Sequence, residues 1–299
     1  MTKPDLHGLG IKILKKLTTA ACAVLPVAFV VAVAAFGVRG LTAAAEARAR
    51  SAAMRHIAAP AQAAAPEPGE KTTQSEPPSP SGSSPQSEPA PKDAPEEPPL
   101  SGKTLQVKNI QQLPELKAGC EVTSAAIVLN YLGYDVKKTE LVGYLNRDAN
   151  FRTVNGKLYG PDPWTSFAGD PADKYGCYAP VITDMANRYL RAVKSDRTAV
   201  NISGAAPVEL YSCIDSGFPV VVWATTFMEE PSVGPEWYLN DTGEYYQWIL
   251  KEHSLVLTGY TENTVVFSDP LDERGTVTYD RALFELRYAQ MYSQAVLIH

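Results

Sequence analysis

Histidine and cysteine are scarce in this chain of 299 residues, which contains only four of each. Four cysteines, one of them inside an apolar run, are too few for a disulfide framework. Residues 100–299 also lack a cluster of basic side chains, since 17 lysines and arginines are outnumbered there by 24 acidic residues. Binding to nucleic acid without sequence preference requires a basic surface that displaces counterions. We therefore expect no nucleic-acid partner.

Motifs for metals and phosphates are absent from the sequence as well. No spacing of His, Cys and Asp matches a zinc site, and no glycine-rich loop matches a phosphate-binding motif. We expect neither a metal nor another cofactor.

The N-terminal part carries a membrane or export signal. Residues 17–38 follow a short basic tail (residues 1–16) and contain no charged side chain, and at about 1.5 Å per residue they can cross a hydrocarbon core of about 30 Å. The run is longer than a secretory h-region of about 7–15 residues, which favours an uncleaved transmembrane anchor. Small residues at Ala43, Ala45 and Ala47 keep a cleaved signal open.

Residues 39–102 are interpreted as a disordered linker rich in Ala, Pro, Ser and Glu. Twelve of the 24 prolines lie between Pro60 and Pro99, and large apolar side chains are almost missing there, so this stretch cannot offset the entropy of folding. An extended stalk of this kind suits a single folded domain, residues 103–299, held outside the cytoplasm at the cell membrane.

The folded part is predicted to be an α+β domain in which helices precede an antiparallel sheet. Helical spacing of apolar residues, or proline in the first turn, predicts four helices: GCEVTSAAIVLNYLGY, KKTELVGYLN, PVITDMANRYLRAV and PVELYSCIDSG. Asp280 is a good N-cap for a fifth helix, ALFELRYAQM. Residue types predict the strands QVKNI, FPVVVWATT, HSLVLTGY, TVVFSDP and QAVLIH.

His253 is the candidate general base, because the only other histidine of the folded part is the last residue of the chain. A hairpin centred on Thr261 or Glu262 places His253 opposite Asp269, where a carboxylate fixes the orientation of an imidazole. An ordinary cross-strand ion pair explains the same pattern.

Cys120 follows Gly119 and opens the first helix. A thiol at a helix N-terminus is favoured as thiolate, and Gly119 permits close approach of a substrate backbone. Gln112, with Gln111 as its rival, is placed to donate to an oxyanion. A small buried core residue is the alternative for Cys120. Glu121 is interpreted as a first-turn carboxylate that raises the thiol pKa slightly, without a catalytic role.

The stretch QQLPELKAGCEVTSAAIVLNYLGY, followed by EHSLVLTGY and FSDPL, resembles the bacterial cysteine peptidase-like domains related to double-glycine leader (bacteriocin-processing) peptidases. The resemblance covers roughly residues 105–299 and implies a papain-like fold. It implies that Cys120 is the nucleophile, His253 the general base, Asp269 the orienting residue and Gln112 an oxyanion-hole donor. No transporter portion accompanies the domain, so export of a leader peptide is not implied.

The sequence thus predicts a thiol hydrolase that cuts a peptide or amide bond in a peptide or cell-envelope substrate. A catalytically silent peptide-binding domain on a stalk is one alternative, and an acyltransferase or peptidoglycan amidase with the same triad is another. Trp164, in a loop rich in Gly and Pro, is expected to line the substrate groove. Cys177 and Cys213 either form a disulfide in an exported domain or are free core thiols.

Overall fold

The computed structural model of the protein describes residues 102–299. The predicted basic tail, the apolar run at residues 17–38 and all but the last residue of the predicted linker lie outside the described residues. Between residue 102 and the C-terminus, no helix combines the length and the apolar character that a membrane span requires.

The described residues form a mixed α+β domain. The helices are α1 (Cys120–Tyr131), α2 (Lys138–Leu141), α3 (Ala179–Ala192), α4 (Pro207–Asp215) and α5 (Arg281–Gln290). The strands are β1 (Lys103–Thr104), β2 (Arg147–Asp148), β3 (Arg152–Val154), β4 (Lys157–Gly160), β5 (Phe167–Ala168), β6 (Ala199–Asn201), β7 (Val220–Thr225), β8 (Ser232–Leu239), β9 (Tyr245–Leu250), β10 (Glu252–Tyr260), β11 (Thr264–Ser268), β12 (Thr276–Asp280) and β13 (Ala295–Ile298).

The main sheet has seven strands and positions the candidate site. Its order is β12-β11-β10-β7-β13-β6, and β1 pairs with the end of β10. The pairings within this sheet are antiparallel. Strand β10, which carries His253, therefore lies near the centre of the sheet between β7 and β11.

A smaller sheet of four strands has the order β3-β4-β8-β9, and β2 and β5 form a short parallel pair. The hairpin β8–β9 was missed from the sequence. It leads directly into β10, because Leu250 and Glu252 are separated by a single residue.

Helices cover both faces of the main sheet, and strand alternation sends neighbouring side chains into two different cores. Along β7, Val221 and Trp223 pack into the core that contains α1 and α3. Val220 and Val222 pack into the other core, formed with α4 and α5. Because β7 and β10 are buried on both sides, their sequences are apolar without alternation, as in a central strand.

Most elements agree with the sequence-based predictions. Helix α1 ends as expected at Leu132–Gly133, where Gly133 adopts a φ of +96°. Asp280 caps α5 through a hydrogen bond of 2.8 Å that the Leu283 N–H donates to its Oδ1. Proline occupies the first turn of α3 and α4.

Two predictions were wrong. Residues 106–110 are not a strand, because side chains rather than a backbone ladder hold this segment: Asn109 Nδ2 donates to the Asp269 carbonyl at 2.7 Å and to Ser268 Oγ at 3.0 Å. The predicted second helix is short, since α2 ends at Leu141 and a 3₁₀ turn, Val142–Tyr144, follows it.

Candidate active site

Cys120 is the first residue of helix α1, and the N-cap residue Gly119 provides no side-chain hydrogen bond to the helix. The helix starts against strand β10 at the residue that follows His253. The Ser254 N–H contacts the Cys120 sulfur, and Ser124 Oγ donates to the Ser254 carbonyl at 3.1 Å. These contacts hold the N-terminus of α1 against Ser254, the residue that follows the candidate base His253 in the sequence.

Two acidic side chains surround the thiol. Cys120 Sγ donates a hydrogen bond of 3.3 Å to Glu121 Oε2, while Glu121 Oε1 accepts the Cys177 N–H at 2.8 Å. One ligand atom each from Cys120, Glu121 and Glu252 lies within 4.8 Å of the others. The backbone of Gly176 lies close to this carboxyl group, since a Cβ there would stand 2.4 Å from Glu121 Oε1. We call Cys120, Glu121 and Glu252 the thiol–carboxyl cluster.

The thiol–carboxyl cluster disfavours the thiolate. Burial raises the pKa of the Cys120 thiol well above its usual range, and the negative charges of Glu121 and Glu252 raise it further, whereas the Ser254 N–H lowers it only in part. The expectation was that the helix N-terminus favours the thiolate, whereas in this structure burial and two neighbouring carboxyl groups act in the opposite direction.

The pKa values of the two carboxyl groups of the cluster are raised as well. Burial raises the pKa of Glu121 to about 7, although hydrogen bonds from backbone N–H groups and from Cys120, and the charge of His253, lower it. Burial and the charge of Glu121 raise the pKa of Glu252 well above its usual range. Both shifts favour the protonated form of the carboxyl groups.

His253 and Asp269 form a buried hydrogen-bonded pair. The distance between His253 Nε2 and Asp269 Oδ1 is 2.8 Å, and both side chains are 2% exposed. The prediction that the two residues lie directly opposite each other was wrong. Val256 faces Ser268, and a bulge follows Leu257. Asp269 thus comes just after the end of β11, and its side chain reaches diagonally to His253 on the same face.

Asp269 is held as a carboxylate. Burial acts to raise its pKa, but the hydrogen bond and charge of His253, together with the N–H groups of Leu271 and Asp272, outweigh burial and lower it. The Leu271 N–H donates to Oδ1 at 2.8 Å. An ionised Asp269 requires the proton of a neutral imidazole to sit on Nε2, so Nδ1 of His253 is the ring nitrogen left as an acceptor.

Gln112 and Gln111 have different roles in the structure. Gln112 is 3% exposed, and its Nε2 donates to the Lys117 carbonyl at 2.9 Å, while its Oε1 has no hydrogen-bond partner within residues 102–299. Gln111 instead donates to the Asp272 carbonyl at 2.8 Å, next to the loop of Asp269. Donation by Gln112 to an oxyanion stays a prediction, and the Lys117 carbonyl engages one of the two N–H donors of its amide.

Lys138 was missed from the sequence as a residue that holds the Gln112 segment. Its ammonium donates to the carbonyls of Gln111 and Gln112, the latter at 2.8 Å, and pairs with Glu115 at 2.7 Å. The lysine residue itself is 8% exposed. A lysine within a short amphipathic helix gives no sequence signal for such a contact.

The two predicted substrate-binding residues are enclosed by protein. The missing Cβ of Gly119 makes room for Leu116, whose side chain a Cβ would contact at 2.5 Å. Trp164 is 3% exposed and packs against Tyr178, with ring centroids 4.4 Å apart. The loop of Trp164 folds over the core and carries the indole inward, and a contact of Trp164 with substrate stays a prediction.

The comparison with protein families decides the assignment. Residues 104–296 match the model described as the Peptidase_C39 like family. The chain belongs to this family. Its C39-like domain therefore corresponds to residues 104–296, which include Cys120, His253 and Asp269.

Two relatives of the C39-like domain support the assignment. The chain is 36% identical over 203 residues to the uncharacterized protein YvpB of Bacillus subtilis strain 168, which covers 66% of this chain and 76% of the relative. It is also similar to the crystal structure of a presumed C39-like peptidase from Bacillus anthracis, with a TM-score of 0.57 and 31% identity over 65% of this chain and 94% of the other. The fold is thus an α+β papain-like fold.

The remaining cysteines of the C39-like domain are free thiols. Cys177 and Cys213 are buried, and they belong to the cores on opposite faces of the main sheet. The disulfide alternative was therefore wrong, since the central sheet separates the two sulfur atoms.

The sequence contained a signal for the buried Glu121 that spacing rules overlook. Residues 120–129 are all buried, and Glu121 is the only charged residue among them. A helix whose other positions are all apolar or small is buried on every side. A single carboxylate in such a helix is buried with it and requires partners.

Proposed function

We propose that the C39-like domain is a thiol hydrolase, a cysteine peptidase that cleaves a peptide or amide bond through a thioester on Cys120. The observation that carries the proposal is the buried His253–Asp269 pair, 2.8 Å between Nε2 and Oδ1, one residue from the strand position that contacts the Cys120 sulfur. Membership of a peptidase-like family agrees with this chemistry.

The proposed reaction begins with loss of the thiol proton. Substrate binding separates Cys120 from Glu121, and Nδ1 of His253 accepts the proton while Asp269 stabilises the imidazolium. The thiolate attacks the carbonyl carbon, the amine leaves with the proton from His253, and the acyl group stays on sulfur. Water, deprotonated by His253, then releases the acid and restores the thiol. Gln112 and the Cys120 N–H are the proposed oxyanion donors.

The experiment for this proposal compares three forms of the full chain on a mixture of peptides with defined termini: the wild type, Cys120→Ala and the control Cys213→Ala. We expect new C-termini from the wild type and the control and none from Cys120→Ala. Cleavage by Cys120→Ala, or none by the wild type, contradicts the proposal.

We also propose an extracytoplasmic location, with the apolar run at residues 17–38 as a single membrane anchor and residues 39–102 as the stalk. The supporting observations are the length of the run and the proline-rich composition that follows it. Protease added to intact spheroplasts is expected to digest the C39-like domain. Protection until the membrane is lysed contradicts this location.

A second candidate function is favoured by one observation. Because burial and two carboxyl groups raise the pKa of Cys120, the domain also suits a peptide-binding module without catalysis. Alkylation at mildly acidic pH, in the presence of a bound peptide, separates the two functions. If the domain is an enzyme, iodoacetamide modifies Cys120 faster than it modifies an unstructured thiol. In a binding module it does not.

A further inference from the structure

The thiol–carboxyl cluster brings together three side chains that sequence spacing does not identify as metal ligands. Cys120 and Glu121 are adjacent in the chain and lie at the start of α1, whereas Glu252 comes from the first position of β10. One thiol sulfur and two carboxylate oxygens lie within 4.8 Å of one another. We propose that this cluster is a binding site for a thiophilic divalent cation of the zinc type.

The geometry fits a small tetrahedral ion. With a metal–sulfur bond of about 2.3 Å and a metal–oxygen bond of about 2.0 Å, sulfur and oxygen ligands stand about 3.5 Å apart around zinc. The distance between Cys120 Sγ and Glu121 Oε2 is already 3.3 Å. Three protein ligands leave the fourth position of the ion open for water or another small ligand.

Glu252 provides a second observation, from strand β10. Its carboxyl group accepts a hydrogen bond from the Trp223 indole, whereas its enclosed Oε1 has no hydrogen-bond partner within the described residues 102–299. A buried carboxylate oxygen without a donor is costly, and a cation between Glu252 and Glu121 would satisfy it. The other oxygen of Glu121 is already oriented by the Cys177 N–H at 2.8 Å, as outer partners orient metal-bound carboxylates.

The ligand set selects the class of ion. A thiolate together with two carboxylates suits zinc and its spectroscopic substitute cobalt, whereas magnesium and calcium prefer oxygen ligands alone. On binding, the metal–sulfur bond forms as the thiol proton leaves to solvent, and any proton on the carboxyl groups leaves with it. The ion also offsets the negative charge that two carboxylates and a thiolate place in a buried position.

One consequence rests on the proposed function. If Cys120 is the nucleophile, an ion on its sulfur occupies the electron pair that attacks the substrate, so the metal-bound form is inactive. The site then acts as an inhibitory switch, because activity falls as the concentration of zinc-type ions in solution rises.

The test is a titration of the full reduced chain, in detergent, with Co²⁺, followed by the near-ultraviolet absorption band that arises only from a cobalt–thiolate bond. We expect a band of one-to-one stoichiometry that Zn²⁺ abolishes by displacement. The band persists in Cys22→Ala and Cys213→Ala, disappears in Cys120→Ala, and requires at least tenfold more Co²⁺ in Glu252→Gln. Circular dichroism checks that each variant is folded.

Absence of the band in the wild type, or its persistence in Cys120→Ala, overturns the metal site. An unchanged affinity in folded Glu252→Gln also overturns it. Because the band does not depend on turnover, the outcomes stay separate: a band without peptide cleavage contradicts only the proposed function, and cleavage without a band contradicts only the metal site.

Discussion

The two halves of the candidate site bury carboxyl groups in opposite states. Asp269 accepts hydrogen bonds from His253 and from two backbone N–H groups, and its pKa is lowered despite burial. Glu121 and Glu252 lie beside each other and beside a thiol, and burial raises the pKa of both. Donors face both groups, since Glu121 accepts from the Cys177 N–H and the Cys120 thiol, so it is the hydrogen bond and charge of His253 that set Asp269 apart.

The difference bears on the proposed thiol hydrolase. In that proposal, the His253–Asp269 pair is oriented before substrate arrives, whereas burial, together with the charges of Glu121 and Glu252, raises the pKa of Cys120, the proposed nucleophile. The proposal therefore requires substrate binding to change the surroundings of Cys120 before the thiolate forms.

The largest effect is expected from Cys120→Ala, which removes the proposed nucleophile. Turnover should fall by at least about 10³-fold, since general positioning alone leaves only a small residual rate. Initial rates on a cleaved peptide measure the loss, and Cys213→Ala, a buried thiol on the other face of the sheet, is the matched control. Equal losses in the two variants would indicate that Cys120 matters for packing and not for chemistry.

Asp269→Asn removes the charge that orients His253 while keeping the shape of the side chain. We expect turnover to fall by about 10²-fold or more and the free energy of unfolding at pH 7 to fall by about 2 kcal/mol. Because the pKa of Asp269 is lowered in the folded protein, its stabilisation is present above the unfolded value of 3.8 and is lost as pH falls through the folded value.

Denaturant unfolding of the wild type and Asp269→Asn at pH 7 and at about pH 3 measures this difference. The two proteins should converge in acid. A stability gap of the same size at both pH values would mean that Asp269 contributes through geometry rather than charge.

Glu121→Gln is expected to increase the reactivity of the Cys120 thiol, an effect smaller than the losses of turnover above and opposite in direction. Removing one of the negative charges that raise the pKa of Cys120 should lower that pKa, so alkylation of Cys120 near pH 8 becomes faster. Rates of iodoacetamide modification from pH 6 to 10, read at the Cys120 peptide, provide the measurement. Glu140→Gln, an exposed surface change, should leave the profile unchanged.

The same variant tests the protonation of the thiol–carboxyl cluster through the pH dependence of the free energy of unfolding. A Glu121 pKa of about 7, against an ordinary value of 4.5, means that the folded protein binds more protons than the unfolded chain between these pH values, so the contribution of Glu121 to wild-type stability falls as pH rises from about 4.5 to 7, by about 3 kcal/mol in total. Glu121→Gln should lack this part of the slope. A parallel slope in both proteins would place the ionisation elsewhere.

The sequence predicted the elements that carry the site better than the geometry between them. Cys120 at a helix start, His253 on a strand and Asp269 after the next strand follow from local periodicity and from the rarity of histidine. The register was wrong because Val256 pairs with Ser268, which centres this part of the hairpin on Glu262 rather than on Thr261, and no local pattern distinguishes the two.

Long-range electrostatics was the part that sequence could not supply. Glu121 was interpreted as a first-turn carboxylate without a catalytic role, but α1 is buried on every side and brings Glu121 next to Glu252, which is 131 positions away. The burial of Trp164 was not predicted for a related reason, since a loop rich in Gly and Pro can fold inward as readily as outward. Burial of such residues is set by tertiary packing and not by their neighbours in the chain.

Labelling with a peptidyl epoxysuccinate tests the central claim most directly, because opening of the epoxide by a thiol needs both the nucleophile and a nearby acid. The full chain and His253→Gln, whose amide keeps a donor for Asp269, are labelled in parallel and mapped by mass spectrometry. The account predicts modification at Cys120 and a rate at least about 100-fold lower in His253→Gln. Equal rates in the two proteins, or modification away from Cys120, would contradict it.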